Sequence, residues 1–166
     1  MRFSTTCLAL LLLLGCADPC ADVTGPATVV LGGSNLAGDT FEPFDDGADR
    51  PLIEGPQIGM HIWLDVRTTG LCPTTASVDR RVVVDATDEI IDVQRGPVRF
   101  DMDAELGTFR IAAPFTMFLC PSSIPVVGER LRFMVRVEDG EGRAAAAEKA
   151  FVAVCTTGDC GICTST

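Results

Sequence analysis

The chain has one His, one Lys and no run of like charge longer than two residues. Proteins that grip nucleic acid neutralise phosphates with clustered Lys and Arg. That stripe is missing, so nucleic acid is excluded as a partner. No G-x-S-x-G nucleophile elbow occurs, since Gly32-Gly33-Ser34-Asn35-Leu36 lacks the closing Gly. Gly-rich phosphate loops are absent too. With His61 the sole imidazole, any Ser-His-Asp device or His-rich metal site would have to use it. No nucleophile is paired with a base, which argues against an enzyme. No long segment carries helical periodicity.

What is present is enough for a fold. At 166 residues and 47% hydrophobic, the chain suits one domain with a sizeable core and is too apolar for disorder. The formal charge is -10.

The amino terminus carries Arg2, a short polar stretch, and an apolar run from Cys7 to Leu14. That run is too short to cross a bilayer, which takes about 20 apolar residues, and has the layout of an export signal. Its end, Leu13-Leu14-Gly15-Cys16, resembles the lipobox of bacterial lipoproteins at every position. The resemblance implies cleavage before Cys16, a diacylglycerol on its sulfur and an acylated amino terminus. Several acyl chains on one residue anchor stably where one would be marginal. Ala17 follows Cys16, and the Asp that retains some lipoproteins at the inner membrane comes one position later, at Asp18. The expected address is the outer membrane of a Gram-negative cell, with the lipid anchor as the contact to membrane. Cleavage removes residues 1–15, and with them Arg2, moving the formal charge from -10 to -11.

Residues 16–27 hold Pro, Gly and Asp with little apolar pattern and read as a lipidated tether. From residue 28 to 155 short apolar runs alternate with Gly, Pro, Asp and Asn, the signature of an all-β domain. The clearest strand is 130–138, where Leu131, Phe133, Val135 and Val137 alternate with polar or exposed partners. Asp139-Gly140-Glu141-Gly142 supplies turn chemistry, and the run closing at 151–154 completes a hairpin. The Ala-rich stretch 144–150 favours helix locally but is too short to hold one alone, so the flanking pattern assigns it to strand. A second strand, 60–67, is expected to turn Met60, Ile62, Leu64 and Val66 inward and His61, Trp63, Asp65 and Arg67 to water. Further candidates are 28–31, 51–54, 78–84, 90–93, 98–102, 108–112 and 115–119. The expected architecture is a two-sheet immunoglobulin-like sandwich of about seven to nine short antiparallel strands, stapled by disulfides. The segment 131–154, an alternating strand, an acidic Gly-rich turn and an Ala-rich strand, resembles the last hairpin of bacterial immunoglobulin-like surface domains. That family implies adhesion, assembly or display. The Cys, core Trp and Cys spacing of antibody domains is not found, and Trp63 falls on the outward side of its strand.

Eight Cys stand out in this composition. Cys7 leaves with the signal and Cys16 takes the lipid, leaving Cys20, Cys72, Cys120, Cys155, Cys160 and Cys163. An even set in an exported chain implies disulfides, with about 15 pairings open. Sandwich order places Cys20 near Cys72 at one end and Cys120 near Cys155 at the other, leaving Cys160–Cys163 as a local pair. Cys155 is exchangeable for either member of that pair, and Cys72 with Cys120 is a rival. The C-x-x-C at Cys160 and Cys163 lacks a following helix that would activate a thiol, with only Thr164, Ser165 and Thr166 after it. The C-x4-C-x2-C run from Cys155 would need a fourth ligand to hold a cluster. Residues 156–166 therefore read as a Cys-rich tail with a structural role.

Two ligand features remain. His61 and Trp63 share a strand face and form a candidate ligand patch. Asp101, Asp103 and Glu105 alternate like oxygen ligands of Ca2+, although Leu106 and Ala112 stand where an EF-hand needs Gly and Glu; a sandwich-edge Ca2+ site would instead draw on Asp45, Asp46, Asp49 or the turn Glu138-Asp139-Glu141. The expected function is a non-enzymatic binding or structural role at the cell envelope, without an obligate cofactor, facing another envelope protein or a glycan. The alternative is a small-ligand or Ca2+-dependent carbohydrate-binding module. A hydrolase is the last choice.

Overall fold

The computed structural model describes residues 20–21, 23–34, 40–55, 59–72, 74, 76–103, 108–111, 115–120, 126–156 and 160. Cys16, Glu105 and Cys163 lie outside them, as does the side chain of Asp103. The described residues are all-β, with eleven strands where seven to nine were expected. They are β1 (Thr28–Ser34), β2 (Phe41–Pro43), β3 (Ala48–Gly55), β4 (Gly59–Thr69), β5 (Ser77–Val84), β6 (Ile90–Pro97), β7 (Phe100–Asp103), β8 (Thr108–Ile111), β9 (Phe115–Cys120), β10 (Arg130–Glu138) and β11 (Ala144–Cys155).

The closing hairpin follows from its sequence. Period-two alternation along β10 buries Leu131, Phe133, Val135 and Val137 and leaves Arg130, Arg136 and Glu138 in water. Burying each of those four side chains contributes roughly 1.5–3 kcal/mol. The Ala-rich run is strand because β10 offers it a continuous partner, from Arg130 opposite Val152 to Glu138 opposite Ala144. Asp139 N–H donates to the Arg143 carbonyl at 3.0 Å and closes the turn, with Gly142 in the left-handed region at φ 80°.

β4 is the hub of the other strands. Along one edge it pairs with β3 at residues 59–61 and β1 at 64–69; along the other it pairs with β9 at 60–64 and β8 at 67–68. The second group runs β3-β11-β10-β5-β6. β3 belongs to both: its first half lies parallel to β11, and its second half pairs antiparallel with β4. That parallel pair departs from the expected all-antiparallel arrangement. Side chains from both groups, including Ile62, Leu64, Val66, Val82, Phe133 and Phe151, form one core cluster. β5 also sends Arg80 to a buried position, where Asp92 at 2.9 Å and Gln94 at 2.9 Å on β6 engage its guanidinium.

Cys20 is joined to Cys72, with Cα atoms 5.0 Å apart, the pairing expected from loop positions. Cys155 is joined to Cys160 at 6.1 Å, the exchange left open for the local pair, in place of the first-choice Cys120–Cys155 and Cys160–Cys163. The strand order explains the change. β9, which carries Cys120, pairs with β4, so β4 and β3 lie between it and the β11 end that holds Cys155. Cys160 is five residues from Cys155 and packs into the core cluster.

The segment expected as tether is docked from Cys20 onward. Arg143 Nη1 donates to the Val23 carbonyl at 3.2 Å, and Gly70, at φ 64°, packs so closely on Pro26 that a Cβ there would meet its carbonyl oxygen at 2.4 Å. Bridge, guanidinium and turn together fix a stretch that composition alone reads as linker.

Candidate functional site

The face of β4 away from the core holds His61, Trp63, Asp65 and Arg67, and it is not the wet face expected of it. His61 is 6% exposed and Asp65 is 0% exposed, while Trp63 and Arg67 are half-buried. Burial pushes the His61 imidazole pKa down, so the ring is neutral at pH 7. Asp65 Oδ1 accepts the N–H of Val66 at 2.7 Å.

The neighbouring glycines explain how this face is built. Gly32 lies opposite Asp65 across β1 and β4 and opposite Pro43 across β1 and β2. A Cβ on Gly32 would meet the Phe41 ring at 2.6 Å, so only Gly admits that ring. Arg67 places its guanidinium 4.3 Å from the Phe41 ring centroid, a cation–π contact. Gly33 accepts the Arg50 guanidinium against its backbone in the same manner, and Arg50 lies 5.3 Å from the Phe44 ring. The Gly32-Gly33 pair, which fails as a nucleophile elbow, is therefore a packing device. Gly inside a strand pattern was the available signal for it.

Beside this stack lies a shallow cleft of about 230 Å³, lined by Thr28, Val30, Phe41, Pro43, Arg67 and Thr68. It offers an aromatic edge, a cation and the Thr28 and Thr69 hydroxyls, which lie 2.6 Å apart. Those groups can hold a ligand but supply no nucleophile with an adjacent base. Of the two residues expected to form a ligand face, Trp63 is partly accessible and His61 is covered.

The acidic candidates are dispersed. Asp101 is exposed and pairs with Arg99 at 3.1 Å. Asp46 accepts the Ala150 N–H at 2.8 Å and the Arg130 guanidinium at 2.8 Å, and these bonds hold its carboxyl below the usual carboxylate value. Asp139 is spent on the hairpin turn and on Cys72. Among the described residues, no three His, Cys, Asp or Glu side chains are grouped to hold a metal ion.

At the Asp139 end the carboxylate is surrounded by donors. Asp139 accepts N–H groups from Cys72 at 2.9 Å, Glu141 at 3.0 Å and Arg143 at 2.9 Å, together with Arg143 Nε at 2.8 Å. Burial alone would push its carboxyl up; the three backbone amides and the guanidinium outweigh that and hold it below the ordinary value. The opposite end carries a ladder of ion pairs. Arg130 bridges Asp46 at 2.8 Å and Asp85 at 3.0 Å, and Arg132 bridges Asp85 at 3.4 Å and Asp88.

No family model matches the chain, and a search of curated proteins finds no match.

Proposed function

We propose that the protein is a bacterial lipoprotein whose acylated Cys16 holds an immunoglobulin-like β-sandwich at the outer membrane, in a non-enzymatic binding or structural role. The observation that carries the reading is the Cys20–Cys72 bridge, formed four residues beyond the lipobox-like Leu13-Leu14-Gly15-Cys16. Stable disulfides belong to oxidising compartments outside the cytoplasm, where a lipobox signal would deliver the chain. The all-β architecture with a shared core supports the sandwich, as does the closing β10–β11 hairpin. The cleft beside Phe41 and Arg67 suits recognition of a partner or glycan better than chemistry upon one.

The test is the mass of the amino-terminal peptide of protein purified from membranes. Acyl chains on Cys16 are expected, and C16A is expected to abolish both them and membrane retention. An unmodified peptide that starts at another residue would refute the lipoprotein. Crosslinking in intact cells, followed by recovery of the lipidated chain, identifies the partner.

A further inference from the structure

We infer that the Cys20–Cys72 end of the domain is a membrane-apposed surface, held end-on against the lipid headgroups, and that the ion-pair ladder at the opposite end is the face presented outward. The inference rests on the lipoprotein reading and adds to it an orientation. Cys16 is four residues before Cys20, and extended chain spans at most about 3.6 Å per residue, so the anchor lies within roughly 14 Å of the bridge.

The bridge is not on a loose arm. Cys72 N–H donates to Asp139, Arg143 holds both Asp139 and the Val23 carbonyl, and Gly70 packs on Pro26. The anchor point is thereby tied directly to the tip of the β10–β11 hairpin. Arg130, at the other end of β10, is eight residues along the strand, about 26 Å away at 3.3 Å per residue. That length exceeds the reach of the linker.

The chemistry of the two ends agrees with this placement. The anchor end is made of exposed small or polar turn residues, among them Thr24, Gly25, Thr74, Gly140 and Gly142. The large exposed apolar side chains among the described residues are Val30, Ile90 and Val93, all on strands and none in these turns. None of these described turn residues would insert into the bilayer, so the surface rests on headgroups and the acyl chains do the anchoring.

The experiment uses full-length lipidated protein in phosphatidylcholine vesicles containing a headgroup-attached quencher. A fluorescent amino acid is placed singly at Glu141, in the exposed hairpin turn, or at Ala86, exposed at the opposite end. Quenching at Glu141 is expected to exceed that at Ala86 at least threefold, and a 15-residue Gly/Ser insertion between Pro19 and Cys20 is expected to erase the difference. Equal quenching in protein shown by mass to be acylated overturns the orientation and leaves the lipoprotein standing. A chain without acyl groups overturns the lipoprotein, and the orientation with it.

Discussion

Asp139 Oδ2 accepts the backbone N–H of Cys72 at 2.9 Å, across 67 residues of chain. This bond ties the turn of the last hairpin to the loop that carries the first disulfide. The carboxylate is buried, and its partners are three amides and one guanidinium, a set that favours the charged form.

Replacing Asp139 tests that set. Hydrogen bonds to a charged group contribute about 1.5–3 kcal/mol, so D139N is expected to cost about 2–4 kcal/mol in urea unfolding. The folded pKa is depressed below 3.8. Its contribution is therefore fully present above that value and lost as pH falls through the lower, folded one. Wild type should lose stability over this acid window, and D139N should lose less. Parallel acid curves for the two proteins would contradict the assignment.

Two glycines with similar dihedral angles separate strain from contact. Gly70 has φ 64° and no room beside Pro26, whereas Gly142 has φ 80° with open space around it. G142A bears only the left-handed penalty, about 1–2 kcal/mol, while G70A adds a backbone clash and should cost about 2–4 kcal/mol. Thermal melts of the two variants read the difference.

The Cys20–Cys72 bridge spans a sequence separation of 52 residues. Loop-closure entropy puts its stabilisation at about 4 kcal/mol, which C20S/C72S should forfeit in denaturant titration. Cys155–Cys160 closes only five residues, so C155S/C160S should cost less by the same measure. A non-reducing peptide map of the mature chain is expected to show no free thiol, and an alkylated Cys would contradict a fully paired set.

His61 gives a pH signature of its own. Burial depresses its pKa below 6.5, so the unfolded chain binds the proton more readily than the folded one. Stability should fall as pH drops below 6.5, and H61Q should flatten that slope. The acidic candidates make a separate prediction: with Asp46 and Asp139 already bonded to amides and guanidinium groups, millimolar Ca2+ should leave the melting temperature unchanged. An upward shift with Ca2+ would revive the metal-dependent carbohydrate-binding alternative.

The hairpin was legible because its information is local. Alternation over 130–138, a Gly-rich turn and a run of matching length are all visible in the sequence, and the strand bounds agree with it. On β4 the inward set Met60, Ile62, Leu64 and Val66 was equally readable. That His61 and Asp65 are covered was not, since a two-residue period assigns a side chain to a face without saying what lies over that face. β2, three residues ending in Pro43, is too short for any period and exists through its pairing with β1. The sequence leaves Cys155 open to Cys160, but that Cys120 is not its partner depends on which strand neighbours β11. A parallel partner 103 residues upstream leaves no mark on the local sequence.

The first disulfide also decides how the domain bears load. A pull on the anchor enters at Cys20 and crosses the bridge directly to Cys72, so the chain between them is slack whatever the force. β1, β2, β3 and β4 all lie inside that covalent loop and cannot be drawn out from the anchored side while the bond holds. Only chain beyond Cys72 can lengthen under tension. In a single-molecule stretch between the two ends of the mature chain, the wild type should fall short of C20S/C72S by the contour of those 52 steps, about 180 Å.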